Sequence, residues 1–343
     1  MQSPSDMRTP VREGPDRLPA VDVAIVCWNH GPWLAACLDS IASLHRPGFV
    51  LGDVVVVDNA SCEPAAARLS GRDDVIVITN ATNVGFAAAC NQAAARGRSE
   101  YLLLLNPDTR LDTDALARAI AELENPDAAS VGILGLRLVD CAGVTQRTCG
   151  RFPNLRTIAN QTLGFARIKP ARWPGIRLTE WAHDSTRDVD FACAAALLLR
   201  RELFEALGGF DTRLFLYLED ADLSLRARRL GWITRYCADA IVEHGHGWAS
   251  GGFRAWRLAH AWRTLVAYAR IHLSPADAAA VTAMVCLLAP VARVGQSLHE
   301  RSWRPLVDAA RAWLLLVKLM AAGVSAAEPQ RQATPVTPLP GAE

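Results

Sequence analysis

Three short apolar runs in the first third of the chain close directly on an Asn or Asp, and this pattern restricts the fold more than any other feature. Residues 21–28 (VDVAIVCW) end at Asn29, residues 53–57 (DVVVV) at Asp58-Asn59, and residues 101–105 (YLLLL) at Asn106-Pro107-Asp108; a further run, 75–79 (VIVIT), lies between the last two. Each is four to eight residues long and rich in branched side chains, which predicts buried strands. Positions 34, 37, 38, 41 and 44 are apolar at helical spacing, and 86–96 reads as another helix. Strands that are apolar on both faces, alternating with helices, imply an α/β fold: a Rossmann-like, mostly parallel sheet with helices on both sides. Ligands of such sheets collect beyond the carboxyl ends of the strands. Asn29, Asp58 and Asp108 stand there. Each alone also reads as a helix cap or turn former.

Several function classes drop out. Thirty-six basic residues against thirty-five acidic ones leave a formal charge of +1, so no field gathers a nucleic acid. No G-x-G-x-x-G follows the first strand, and the only lysines, Lys169 and Lys318, follow Ile168 and Val317 rather than a glycine, which removes the P-loop. G-x-S-x-G and H-E-x-x-H are absent as well. Nine scattered cysteines without a C-x-x-C pair argue for reduced thiols in a cytoplasm-like compartment.

What remains is carboxylate chemistry. Asp108 follows a proline that directs the chain outward, and Mg2+ or Mn2+ is commonly held by one or two carboxylates while substrate phosphates fill the other positions. His244 and His246, in IVEHGHGWAS, are candidates for a further ligand. The densest constellation is 208–231 (GGFDTRLFLYLEDADLSLRARRLG), where Gly208-Gly209 ends a helix over 201–207 and Glu219, Asp220 and Asp222 crowd together. Acidic residues opening a helix at 220–230 and Arg226, Arg228 and Arg229 closing it suit the macrodipole. Adjacent carboxylates after an apolar run also repel and desolvate each other, which raises one pKa and makes a general base.

In order and spacing, VCWN, VVVVDNAS, NVGFAAACNQAA, LLLLNPDT, LLLRRELFEALGGFD, FLYLEDADLSLRARRLGW and the closing His-Gly-Ser loop resemble the inverting family-2 glycosyltransferases of the GT-A fold, especially their rhamnosyltransferase-like branch. The match runs from about residue 22 to 252. The resemblance implies that Asn29 and Asp58 line the base and ribose pocket, and that Asn59, Asn83, Gly85, Asn91 and Asn106 belong to the donor side, with Gly85 opening a helix whose amide end faces the donor. It implies further that Asp108, in a degenerate D-x-D written Asn106-Pro107-Asp108, binds Mg2+ or Mn2+ together with His244 or His246, and that Asp220 is the catalytic base with Glu219 beside it. Ala89, Cys90 and Ala194 depart from the branch's usual Gly, Asn and Gly, which bears on donor identity. The implied reaction moves a sugar, rhamnose from dTDP-rhamnose first, from a nucleotide-sugar donor to a hydroxyl of a cell-envelope or polysaccharide acceptor, free or lipid-linked. A UDP-hexose, UDP-N-acetylhexosamine or UDP-galactofuranose is the alternative donor, and an inactive sugar-nucleotide-binding scaffold the alternative from another class.

The chain accordingly divides into a disordered leader (1–20), a glycosyltransferase domain (21–252), a C-terminal helical region (253–324) and a disordered tail (325–343). The apolar runs 278–292 and 312–324 are shorter than the ~18–20 residues of a spanning helix, and Pro290 and Lys318 interrupt them. They read either as helices packed on the main domain or, with eight arginines and four tryptophans in or beside them, as a peripheral surface on the inner face of the plasma membrane of a cytoplasmic protein.

Overall fold

The computed structural model describes residues 17–29, 31–245 and 254–321. His246, the rest of the closing loop, most of the expected leader and the expected tail lie outside the described residues.

The strands read from the sequence are present. β1 (Ala20–Cys27), β2 (Val50–Asp58), β3 (Ile76–Thr79) and β4 (Tyr101–Leu105) pair in parallel in the order β3-β2-β1-β4. The helices between them are α1 (Gly31–Ala42), the short α2 (Ala65–Arg68) and α3 (Phe86–Ala94). After β4 come β5 (Thr109–Leu111), α4 (Ala115–Glu124), β6 (Val131–Val139), α5 (Leu155–Thr162), α6 (Phe165–Ile168), β7 (Arg187–Val189), β8 (Ala196–Arg200), α7 (Arg201–Ala206), α8 (Glu219–Arg229) and β9 (Ile233–His244). The full order is β3-β2-β1-β4-β8-β6-β9-β5, with β7 on β9. β8 is antiparallel to both β4 and β6, whereas β9 is parallel to β6. The carboxyl ends of β1, β2, β4, β6 and β9 therefore open along one edge.

Side chains along β1 alternate between two cores, as a sheet covered on both faces demands. Val23 and Ile25 pack with Leu34, Leu38, Leu116 and Ile120 of α1 and α4. Ala24 and Val26 pack with Ala87, Cys90 and Ala94 of α3, a helix whose small buried residues let it lie close to the strands.

A third core joins α5 to the C-terminal helices α9 (Arg254–His272), α10 (Pro275–Ala283), α11 (Ala289–Glu300) and α12 (Arg304–Ala321). Here one expectation is corrected. Pro290 does not interrupt the apolar stretch: α10 and α11 run on through a π turn at Met284–Leu288, so that Pro275–Val294 is one helical stretch of 20 residues, by length and composition enough to cross a membrane. A proline strands the carbonyl four residues before it. That carbonyl belongs to Cys286, and it accepts a hydrogen bond from Trp313 Nε1 of α12 at 2.9 Å.

Candidate active site

The edge of strand ends holds two groups of polar residues. In the first, over β1–β3, nearly every polar atom is spent on the protein itself. Asn29 takes a left-handed φ of 63°, and its Oδ1 accepts from the Cys62 amide at 2.8 Å. Asp58 accepts the amides of Ser61 (2.9 Å) and Ala65 (2.7 Å), one on each carboxylate oxygen. Asn59, buried, donates to Asn83 Oδ1 (2.8 Å) and accepts from the Val84 amide (3.0 Å), while Asn83 accepts from the Gly85 amide (2.9 Å). These residues fold the turns that border the crevice.

Two donor-side expectations change on inspection of the geometry. Asn91 does not face a donor: its amide donates to the Phe210 carbonyl and accepts from the Phe210 amide, both at 2.9 Å, which leaves the side chain clamped on a backbone 119 residues away. Gly85 does open α3, with φ 90°, but the Phe86 amide donates to the Phe215 carbonyl at 2.8 Å, and a Cβ on Gly85 would lie 2.7 Å from the Phe215 ring. The start of this helix is therefore covered on one side by the 215 segment. Glycine is needed there both for the positive φ and for the close approach.

The second group, at the ends of β4 and β9, is chemically open. Antiparallel pairing of β5 with β9 sets Thr109 opposite His244 and so brings Asp108 to the end of β9. His244 Nε2 lies 3.5 Å from Asp108 Oδ1 and 3.5 Å from the Asn106 amide nitrogen. Gln146, which the sequence reading did not single out, holds His244 at both ends: its Oε1 is 2.9 Å from Nδ1, and its amide donates to the His244 carbonyl at 2.9 Å. An acceptor at Nδ1 puts the ring proton on that nitrogen and leaves the Nε2 lone pair facing the carboxylate, the tautomer that ligates metals. Two acceptors turned toward each other fit a divalent cation between them. Among the described residues no third His, Cys, Asp or Glu joins the pair, which suits an ion that keeps positions for substrate oxygens.

The carboxylate pair opens α8. Tyr217 (φ 71°) and Leu218 (φ 59°) are successive non-glycine residues in the left-handed region, a conformation that costs free energy and persists only where the surroundings impose it. Helix α9 imposes it. Thr264 Oγ1 donates to the Leu216 carbonyl (2.7 Å), Arg257 Nε donates to the Tyr217 hydroxyl (2.8 Å), and His260 stacks on Phe215 with centroids 4.8 Å apart. One turn into α8, buried Asp222 receives His272 Nε2 at 2.7 Å and Arg226 Nε at 2.8 Å. A boundary at residue 252 thus runs between the pair and the helix that aims it.

Burial lifts the pKa of both members. For Glu219 the charge of Asp220 adds to the rise, taking it well above the ordinary carboxylate range; for Asp220 the nearby Arg177 and the amides of Ala221 and Ala194 oppose it. The two carboxyls titrate as a coupled pair, and burial makes both give up protons at higher pH than free carboxylates do. Glu219 Oε2 is buried with no hydrogen-bond partner among the described residues. A cavity of about 440 Å3 has His244, Gln146, Cys193 and Arg177 in its lining; Cys193 adjoins Ala194, whose amide donates to Asp220 Oδ2 at 3.3 Å. Arg177 left no motif to find, since its relation to Asp220 exists only in the fold.

Comparison with known proteins bears on the fold and the family. The family model described as glycosyl transferase family 2 matches residues 22–208. The chain is 30% identical, over 67% of its length and 77% of the relative's, to the N-acetylglucosaminyl-diphospho-decaprenol L-rhamnosyltransferase of Mycobacterium tuberculosis. It is 28% identical to an N-acetylglucosaminyltransferase of Rhizobium sp. (strain N33), over 67% of this chain and 49% of that one. Among solved structures, the mannosyltransferase PcManGT from Pyrobaculum calidifontis, in complex with GDP-Man and Mn2+, superposes with a TM-score of 0.51 at 21% identity, covering 93% of this chain and 83% of its own.

Proposed function

Because the chain belongs to glycosyl transferase family 2, we propose that it moves a sugar from a nucleoside-diphosphate donor to a hydroxyl of a cell-envelope glycan, with inversion and with the help of a divalent cation. One observation carries this reading: a single cavity is lined by His244, which lies 3.5 Å from Asp108, by Arg177, whose charge acts on Asp220 of the desolvated carboxylate pair, and by Cys193, on which Asp220 acts in turn.

The roles follow from charge. Asp220, whose anion is favoured by Arg177 and by the amides of Ala221 and Ala194, takes the proton of the acceptor hydroxyl as that oxygen attacks the anomeric carbon from the face opposite the diphosphate. A proton shared with Glu219 would leave the pair a single negative charge. Asp108 and His244 would hold Mg2+ or Mn2+, which as a Lewis acid offsets charge developing on the departing diphosphate. Asn29, Asp58, Asn59 and Asn83 shape the turns against which base and ribose lie.

The mycobacterial relative favours L-rhamnose as the sugar and a lipid-linked diphosphate glycan as the acceptor. The rhizobial relative supports an N-acetylhexosamine donor as the second reading. The full-length protein, incubated with a panel of dTDP- and UDP-sugars and an extract of lipid-linked acceptors, is expected to give a product heavier by one deoxyhexose. A gain of one N-acetylhexosamine would select the second reading, and no transfer from any donor would select a binding-only scaffold.

A lipid-linked acceptor places the reaction at the inner face of the plasma membrane, and the C-terminal helices present a suitable surface. α12 buries Ala309, Ala312, Leu316 and Leu319, yet Val307, Leu314 and Val317, spaced by seven and three, are exposed on its far side. Leu287, Leu288, Val291 and Val294 are exposed on the neighbouring stretch, and Trp303 is 79% exposed. Arg304, Arg311 and Lys318, at intervals of seven, form a basic stripe beside the apolar one. An apolar face rimmed by cations suits an anionic bilayer. Flotation with vesicles containing phosphatidylglycerol should be lost in Leu314→Glu/Val317→Glu and weakened by high salt. Unchanged flotation of that variant would remove this surface from the account.

A further inference from the structure

We propose that Arg147 and Arg177 form a phosphate-binding subsite for the acceptor, so that the sugar attacked through its hydroxyl at Asp220 is one that carries a phosphate or diphosphate. The inference rests on the glycosyltransferase reading above and assigns two residues of this chain to the phosphate of its acceptor.

Both arginines line the 440 Å3 cavity, and both are held in place without being neutralised. Arg177 donates from Nη1 to the Thr148 carbonyl at 2.9 Å, and Arg147 donates to the Thr179 carbonyl. Among the described residues neither forms an ion pair with a carboxylate. Their neighbours behave differently: Arg151 pairs with Glu180, Arg228 with Asp190, and Arg235 with Glu122 and Asp188. The one carboxylate in the cavity lining, Asp140, folds its own turn by accepting the amides of Ala142 and Val144 at 2.9 Å each. Two guanidinium groups fixed by backbone carbonyls and facing a cavity, neither in a direct ion pair among the described residues, match the planar, multidentate demands of phosphate oxygens.

The charge is felt in the surroundings. His183, between these segments, is held below its ordinary pKa first by burial and further by Arg147, Arg177 and Arg187. Arg177 is also the leading charge acting on Asp220. A phosphate bound there would share the cavity with Cys193, the residue before Ala194, whose amide donates to Asp220.

Position separates this subsite from the donor's phosphates. Arg147 follows β6 and Arg177 precedes β7, on the β8-β6-β9 half of the sheet, whereas the nucleotide-side turns lie over β1–β3. On the proposed reading, a cation that Asp108 and His244 would hold meets the donor diphosphate instead.

The test uses the full-length chain, with Arg147→Gln, Arg177→Gln, the double variant and the matching Lys substitutions. Calorimetry with inorganic pyrophosphate, in chelator and with saturating nucleoside diphosphate, should show binding to the wild type that falls about tenfold per Gln substitution and is partly kept by Lys. Kinetically, the ratio of kcat/KM for a sugar-diphosphate lipid to that for the neutral alkyl glycoside of the same sugar should collapse in the Gln variants. If pyrophosphate fails to bind the wild type under these conditions, or if the Gln variants lose affinity for the nucleoside diphosphate as much as for pyrophosphate, the arginines do not serve the acceptor and the proposal is overturned. If no donor supports transfer, the glycosyltransferase reading fails, and the pyrophosphate titration still decides the subsite by itself.

Discussion

The two groups of polar residues along the strand-end edge use the same side-chain types to opposite ends. Over β1–β3, Asp58, Asn59, Asn83 and Asn91 give their hydrogen bonds to backbone or to one another. Around β4, β9 and α8, Asp108 and His244 turn acceptors toward each other, Glu219 leaves a buried oxygen unpaired, and the turn before it holds two residues in a strained region. Saturated polar groups build walls. Unsaturated ones mark where free energy is held in reserve for a substrate, ion or proton. Substitutions in the two groups should therefore leave opposite signatures.

The largest effect is expected at Asp220→Asn, which should lower kcat by ~10²–10⁴-fold while nucleotide binding and thermal stability hold. A variant keeping more than a tenth of the wild-type rate would break the comparison at its centre. Next is Asp108→Ala: titration of nucleoside-diphosphate affinity with Mn2+ should lose its dependence on the metal, and an unchanged titration would return Asp108 to the structural group. Asn91→Ala should behave in the reverse way, since it strands the amide and carbonyl of Phe210. A loss of about 1–3 kcal/mol in urea unfolding is expected, with kcat nearly unchanged in the fraction that is folded.

The smallest and sharpest test is Glu219→Gln. A carboxyl whose pKa is raised in the folded state binds its proton more tightly there than in the unfolded chain. Stability from this group is thus full at low pH and declines as pH rises from the ordinary carboxylate range through the raised value. Glutamine cannot ionise, so the decline should flatten, and near neutral pH the midpoint should rise by roughly 2–4 °C per kcal/mol recovered. A lower midpoint at every pH would mean that Glu219 is a structural residue like Asn91.

The strands and their polar ends were legible in the sequence because a run such as VVVVD carries its own burial and its own stop. The carboxylate pair was legible as a local cluster. Asn91 was not, because its partner is Phe210 and nothing local distinguishes a clamp from a ligand. Gln146 and Arg177 were missed for the same reason: their importance lies in what they touch across the sheet. Pro290 misled in the other direction, since a π turn and the Trp313 indole relieve the break that a proline announces.

The left-handed pair Tyr217–Leu218, stapled from outside by Thr264 and Arg257, carries a lesson for anyone wishing to transplant parts of this molecule. A chimera joined between β9 and α9 would exchange the C-terminal helices and discard the splint of the turn before α8 with them. Nor does a cut after His272, which still grips Asp222, free the remainder, because Trp262 and Val266 of α9 share a core with Ala312 and Leu316 of α12. What looks like an appendage is thus welded to the turn it steadies, and the two must be exchanged together.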